Sequence, residues 1–285
     1  MATSPARRLW RSLEVIHAIV YFAPESRRAL LEAGLKGGWM GYFASRSAAL
    51  GQVPADVVVA TFYNFHPSMV RRALPDAWKY STPDAVISAR RSAVDEALRR
   101  ILGPACSTDD VAAAVDLARR LCGGFSSAGR PLYAAHASLE WPNESHLALW
   151  HAATLFREHR GDGHVACLMA HAIDGCEANV LQAAAGSFPA ESQRSFRGWS
   201  AEEWSAAEGR LRHRGLLNHE GLTEEGRRTR GAIEDRTDEL SMLSTDPLPE
   251  NQVEALLSHV LPTVDAILAA EVVPFPNPMG LPRGP

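Results

Sequence analysis

Six ionisable side chains fall within the eight residues Arg157-Glu158-His159-Arg160-Gly161-Asp162-Gly163-His164, with apolar sequence on both sides, Leu147 to Phe156 before and Val165 to Ala172 after. A surface helix spreads its charges over one face and keeps an apolar stripe. Here they are bunched along the chain, inside an apolar frame where polar groups need partners. Read as one helix, Arg157, His164 and His171 recur every seven residues on a shared face, and Arg160 lies one turn before His164. Glu158 shares another face with His151 and Asp162. Guanidinium beside imidazole suits a carboxylate or phosphate ligand. The competing structural reading is an internal salt-bridge network, with Arg157 or Arg160 paired to Glu158 or Asp162. Gly161 and Gly163 are positions where the helix would kink or split.

Other chemistries are open at the same stretch. His159 and His164, with Glu158 or Asp162, are candidate ligands for iron or zinc, although the HExxH pattern is absent. A lone His164 could also ligate haem, with arginines taking the propionates; no CxxCH attachment exists. There is no GxSxG elbow, P-loop or GxGxxG. An Asp162–His164 pair could work as orienter and base, but no nucleophile is marked, so catalysis stays open. Tyr42, Phe43, Phe62, Tyr63 and Phe65 are candidates for an opposing wall. The phenylalanines suit a core, whereas the polar tips of Tyr63 and Asn64 inside an apolar run need partners. The site expected is a cleft. In it Arg157 and Arg160 hold a ligand's negative charge, His159 and His164 donate hydrogen bonds or coordinate, and Tyr42, Tyr63 and Asn64 face them.

The elements that must position these groups read as helices. Leu9, Leu13, Ile16 and Val20 have helical spacing. Pro24, Pro54 and Pro67 suit helix starts, Thr82-Pro83 is a cap followed by a first-turn proline, and Ser200-Ala201-Glu202-Glu203 is a capping box. Leu216 to Leu222 predicts a two-stranded wing turning near Glu220-Gly221, and Thr223 caps a long helix. The proline-rich tail from Pro274 to Pro282 cannot be helical and is expected extended over the surface. Gly123 to Gly129 reads as a linker, dividing the chain into halves at 1–123 and 130–285. Weak echoes, among them Gly37-Gly38-Trp39-Met40 with Asp162-Gly163-His164-Val165, suggest duplication and a pseudo-two-fold arrangement with the pocket between halves.

Composition narrows the partners. The 285 residues are 46% hydrophobic and 22% charged, ordinary for a globular chain. A net charge of −4 argues against a strongly electrostatic nucleic-acid binder. Four cysteines without CxxC spacing point to free thiols in a reducing compartment. With no apolar leader and no bilayer-length apolar run, the expected location is the cytoplasm, without a membrane partner.

The second half resembles the winged-helix fold of MarR-type regulators. Ala172-Ile173-Asp174-Gly175-Cys176-Glu177 stands at the turn, Ser200 to Arg214 in the recognition-helix place, and Leu222-Thr223-Glu224-Glu225-Gly226 after the wing. The whole chain is similar to the actinobacterial SCO6745-type helix-turn-helix family, through Tyr21 to Glu25, Gly41 to Ala44, Thr61 to Phe65, Arg157 to His164, Arg197 to Ser200 and Asn277 to Pro282. That resemblance implies a mostly α, tandem winged-helix fold without fixing a function. One consequence is ligand-responsive DNA binding in transcription regulation. The N-terminal residues of the recognition helix would then be Ala201, Glu202 and Glu203, whose carboxylates phosphates repel, and Arg210, Arg212 and Arg214 would lie at its far end.

Overall fold

A computed structural model describes residues 4–283. Seven helices come first, α1 (Pro5–Phe22), α2 (Pro24–Glu32), α3 (Gly38–Ser47), α4 (Ala55–Phe62), α5 (Pro67–Ala73), α6 (Pro83–Leu102) and α7 (Asp109–Gly123). The rest are α8 (Pro131–Ala137), α9 (Ser145–Ala170), α10 (Gly175–Ala184), α11 (Ala190–Arg197), α12 (Ala201–His213), α13 (Glu224–Ser241) and α14 (Glu250–Ala269). Between α12 and α13 runs an antiparallel hairpin, β1 (Leu217–Asn218) with β2 (Gly221–Leu222). The protein is mostly helical, and its helices start where local chemistry starts them. The Thr82 hydroxyl accepts the Ala85 N–H, and Asp174/Glu177 and Ser200/Glu203 both close as capping boxes, each satisfying N–H groups that a helix end leaves open.

Helix α9 is the axis of the molecule. Its first half lies in the largest apolar core, where Leu149, Leu155 and Phe156 meet Leu9, Ile16, Leu98, Leu121 and Val260 from α1, α6, α7 and α14. Burying each such side chain stabilises by roughly 1.5–3 kcal/mol. Its last turns, with Cys167 and Leu168, belong to another core with Val180, Trp204, Leu211 and Ile233. A third core, around Phe43, Phe62, Phe65 and Leu74, gathers α3, α4 and α5.

Two sequence expectations are corrected here. Helix α9 runs unbroken through Gly161 and Gly163. The reason for glycine at 163 is lateral: a Cβ there would stand 2.7 Å from Arg130 Nη1, whose guanidinium donates to the carbonyls of His159 and Leu240. Nor does the Gly123–Gly129 stretch hang free, since Phe125 is buried, pairs as a β-bridge with Ser244 and stacks on His159 with ring centroids 4.0 Å apart.

Candidate anion-binding cavity

One turn of α9 advances 3.6 residues, so Arg157, Arg160, Gly161, His164, Val165 and Leu168 share a face, and all six line a cavity of about 810 Å³. Helix α1 adds Arg7, Trp10, Arg11, Glu14 and Tyr21. Helix α13 adds Arg230 and Glu234, while α3 and the end of α4 add Trp39, Tyr42, Arg46, Phe62, Asn64 and Phe65. Phe196 and Arg197 of α11 complete that side. Pro278, Met279 and Gly280 lie across it, so the tail is non-helical as expected but forms a wall of the cavity. It is held there by Arg197 Nη2 donating to the Pro278 carbonyl at 2.8 Å and by the buried side chain of Asn277. The volume is within the range of small-molecule sites.

Cationic and aromatic walls meet in this space. Tyr42 lies 5.3–5.4 Å from Tyr21, Phe43 and Phe65. Trp39 and Phe196, both exposed, approach edge to face at 6.2 Å. Two ion-pair cells support the arginines. In the first, Glu158, fully buried, takes Arg46 in a two-point contact (3.2 and 3.0 Å) and Arg157 at 2.8 Å, and Arg157 also reaches Glu14 at 3.4 Å. Burial works against the charge on Glu158, but Arg157 and Arg46 outweigh it and hold this carboxyl well below its usual range. In the second cell, Arg7 and Arg160 share Glu234 and Asp238, at 2.9–3.3 Å. Burial likewise opposes the charge on Glu234, and His164, Arg160 and Arg7 pull its carboxyl down to about 2.

His164 in the cavity lining, and His17 behind Tyr21, have their tautomers set by threonines. The Thr237 hydroxyl donates to the Ile233 carbonyl (2.7 Å), so its oxygen accepts from His164 Nδ1–H at 3.0 Å. Burial lowers the pKa of His164. Its imidazole is therefore neutral near pH 7, and Nε2 carries a lone pair. His17 repeats the pattern. Thr154 donates to the Trp150 carbonyl (3.1 Å) and accepts from His17 Nδ1 (3.0 Å), leaving Nε2 to accept from the Tyr21 hydroxyl at 3.0 Å.

The residues singled out in the sequence separate into two groups. Arg157, Arg160, His164, Tyr42 and Asn64 line the cavity. Glu158, His159 and Asp162 do not, because each residue turns the helix by about 100° and puts them on its other side. Glu158 supports Arg46 and Arg157. Asp162 accepts the Tyr133 N–H at 3.0 Å, capping α8 from outside, and burial raises its carboxyl to about 6. His159 lies between Phe125 and Tyr133, with a contact to the Ser241 backbone but no well-formed hydrogen bond at either ring nitrogen, and burial lowers its pKa to about 3. Tyr63 is also outside the lining: at φ 44 it ends α4 and donates its hydroxyl to the Ile173 carbonyl at 2.6 Å, tying α4 to the turn before α10. Sequence reasoning missed the contribution of α1 and α13. Their arginines and glutamates look like ordinary surface charge in a linear reading, although Glu14 between Leu13 and Val15, in the most apolar stretch of α1, was an available signal.

His159 and His164 point to different sides of α9, and among the described residues no group of three or more His, Cys, Asp or Glu side chains is placed to hold a metal ion. All four cysteines are free and buried. The basic residues of α12 are engaged within the protein. Arg210 pairs with Glu177 (2.8 Å) and Asp174 (2.5 Å), Arg212 with Glu208 (2.9 Å), and Arg214 donates to the carbonyls of Ala172 and His171 (2.6 and 2.7 Å). Among the described residues no helix is long and apolar enough to cross a membrane.

A mostly helical chain whose short helices α10, α11 and α12 lead into a hairpin and a long helix fits the helix-turn-helix class of protein. The family comparison agrees: a model described as a helix-turn-helix family matches residues 6–274, and the chain belongs to that family. No curated protein and no solved structure matches the chain significantly.

Proposed function

We propose that this protein is a regulator-like member of the helix-turn-helix family that binds a planar, anionic small molecule in the cavity between its two halves, read as tandem winged-helix units. The observation that carries the reading is a cavity of about 810 Å³ lined both by arginines of α1, α9 and α13 and by the rings of Trp39, Tyr42 and Phe65. Guanidinium groups on a rigid helix bind anions with little ordering cost, and stacked rings favour a flat partner. Calorimetric titration with 2-naphthyl phosphate and 2-naphthoate, against neutral 2-naphthol, tests it. Micromolar binding of the phosphate that weakens about tenfold in Tyr42→Ala supports the reading. Failure of both the phosphate and 2-naphthoate to bind at millimolar concentration overturns it.

Family membership favours a second reading, ligand-responsive DNA binding. The internal pairing of Arg210, Arg212 and Arg214, and the glutamates in the first turn of α12, weigh against it. A low-salt gel shift with the protein's own upstream region decides: a salt-dependent shift supports a DNA-bound regulator, and no shift removes it.

A further inference from the structure

The cavity's charge does not balance, and the imbalance narrows the class of ligand. Arg46 and Arg157 face Glu14 and Glu158; Arg7 and Arg160 face Glu234 and Asp238. Four cations thus meet four carboxylates. Three lining arginines remain, Arg11 of α1, Arg197 of α11 and Arg230 of α13, and among the described residues none of them has a carboxylate within 4.0 Å. The Nε atoms of Arg11, Arg160 and Arg197 are buried with no hydrogen-bond partner, and Arg160 as a whole is only 7% exposed. Arg197 is held over the Phe65 ring at 4.4 Å and by one carbonyl, that of Pro278, so its charge meets dipoles and a π face but no anion.

The three surplus arginines are each partly buried, and positive charge held partly out of water without an anion is costly to a protein standing alone. It is tolerable where a ligand supplies the missing charge, and guanidinium donors then bind it with two-point geometry. The surplus is also distributed. Arg11 and Arg230 lie one helical turn from Arg7 and from Glu234 on α1 and α13, whereas Arg197 stands against Phe65.

Resting on the planar-anion reading, we propose that the ligand is a dianion: a flat aromatic ring bearing a phosphate monoester, with two negative charges. Its phosphoryl group lies between Arg11 and Arg230, and its ring lies against Tyr42 and Phe65 under Arg197. A monocarboxylate would leave two of the three guanidiniums without charge compensation. A phosphate monoester is largely dianionic above its second pKa, about 6.

Three probes separate this from the simpler reading. Titrations at pH 7.5 compare 2-naphthyl phosphate, 2-naphthoate and inorganic pyrophosphate. The dianion reading expects the naphthyl phosphate to bind at least tenfold more tightly than the naphthoate. That ratio should collapse toward one in Arg11→Gln and Arg230→Gln, and the phosphate should show the steeper salt dependence. Because neither arginine makes a close ion pair, both variants should fold, and the ligand-free Arg11→Gln form should melt no lower than wild type, which circular dichroism checks. Equal affinity for phosphate and carboxylate overturns the dianion inference and leaves the planar-anion reading standing. Pyrophosphate binding as tightly as naphthyl phosphate removes the aromatic part of the proposal. Failure of both naphthyl anions to bind overturns the inference together with the reading beneath it.

Discussion

His159 shows what a single side chain in the charged stretch contributes. Its ring is buried, stacked on Phe125, and has neither nitrogen paired. An unsatisfied buried polar group costs about 1–3 kcal/mol. Replacement by an aromatic ring without nitrogens removes that cost and keeps the stack. His159→Phe is therefore expected to raise the unfolding free energy by about 1 kcal/mol without altering 2-naphthyl phosphate binding, as urea denaturation and titration would show. A variant that loses stability by a similar amount would mean that the imidazole's contact with the Ser241 backbone carries weight. Glu158, one residue earlier, is the opposite case. Glu158→Gln leaves Arg46 and Arg157 short of a buried anion, and breaking a buried pair costs roughly 3–5 kcal/mol.

At the scale of one element, α9 carries two glycines with different reasons to exist. A Cβ at Gly161 would come no closer than 3.9 Å to any neighbour, Glu158 Oε2. A Cβ at Gly163 would displace the Arg130 guanidinium that joins α9 to the end of α13. Alanine in a helix interior is ordinarily favoured over glycine by about 0.5–1 kcal/mol. Gly161→Ala should therefore stabilise by about that amount. Gly163→Ala should destabilise by roughly 1–2 kcal/mol through loss of the arginine's two carbonyl bonds. Thermal or chemical denaturation of the pair checks the contrast, and the same sign for both would refute it.

Over the whole molecule, buried imidazoles decide how stability responds to acid. Burial lowers the pKa of His17 and His164, takes His136 and His159 to about 3 and His151 to about 4. In the unfolded chain each takes a proton near pH 6.5. The unfolded state thus binds more protons below that pH, and the stability they contribute is complete above pH 6.5 and lost as pH falls. The slope is up to about 1.4 kcal/mol per pH unit for each histidine. Asp162, raised to about 6, has the opposite sign: between about pH 6 and 4 it takes up a proton more readily when folded and offsets one histidine. The net expectation is a steep fall in the urea midpoint between pH 6.5 and 4.5. A midpoint flat over that interval would show that the imidazoles are hydrated or paired.

Local chemistry was legible in the sequence. Thr82, Ser200 and Thr223 start helices in the linear reading and cap them in the structure, because a cap needs only residues three positions away. The seven-residue spacing of Arg157 and His164 placed both on one face for the same reason: helical geometry is local. Which face meets solvent, ligand or core is a different matter. Nothing near Glu158 in the chain indicates that Arg46 will satisfy it from 112 residues away, or that Asp162 will cap α8. Neither does the sequence near Arg7 and Glu234 say that two exposed-looking charges will wall a cavity. Those outcomes depend on which helices pack together. Pairing energies, unlike capping, are set by burial and by partners that only the folded chain brings within reach.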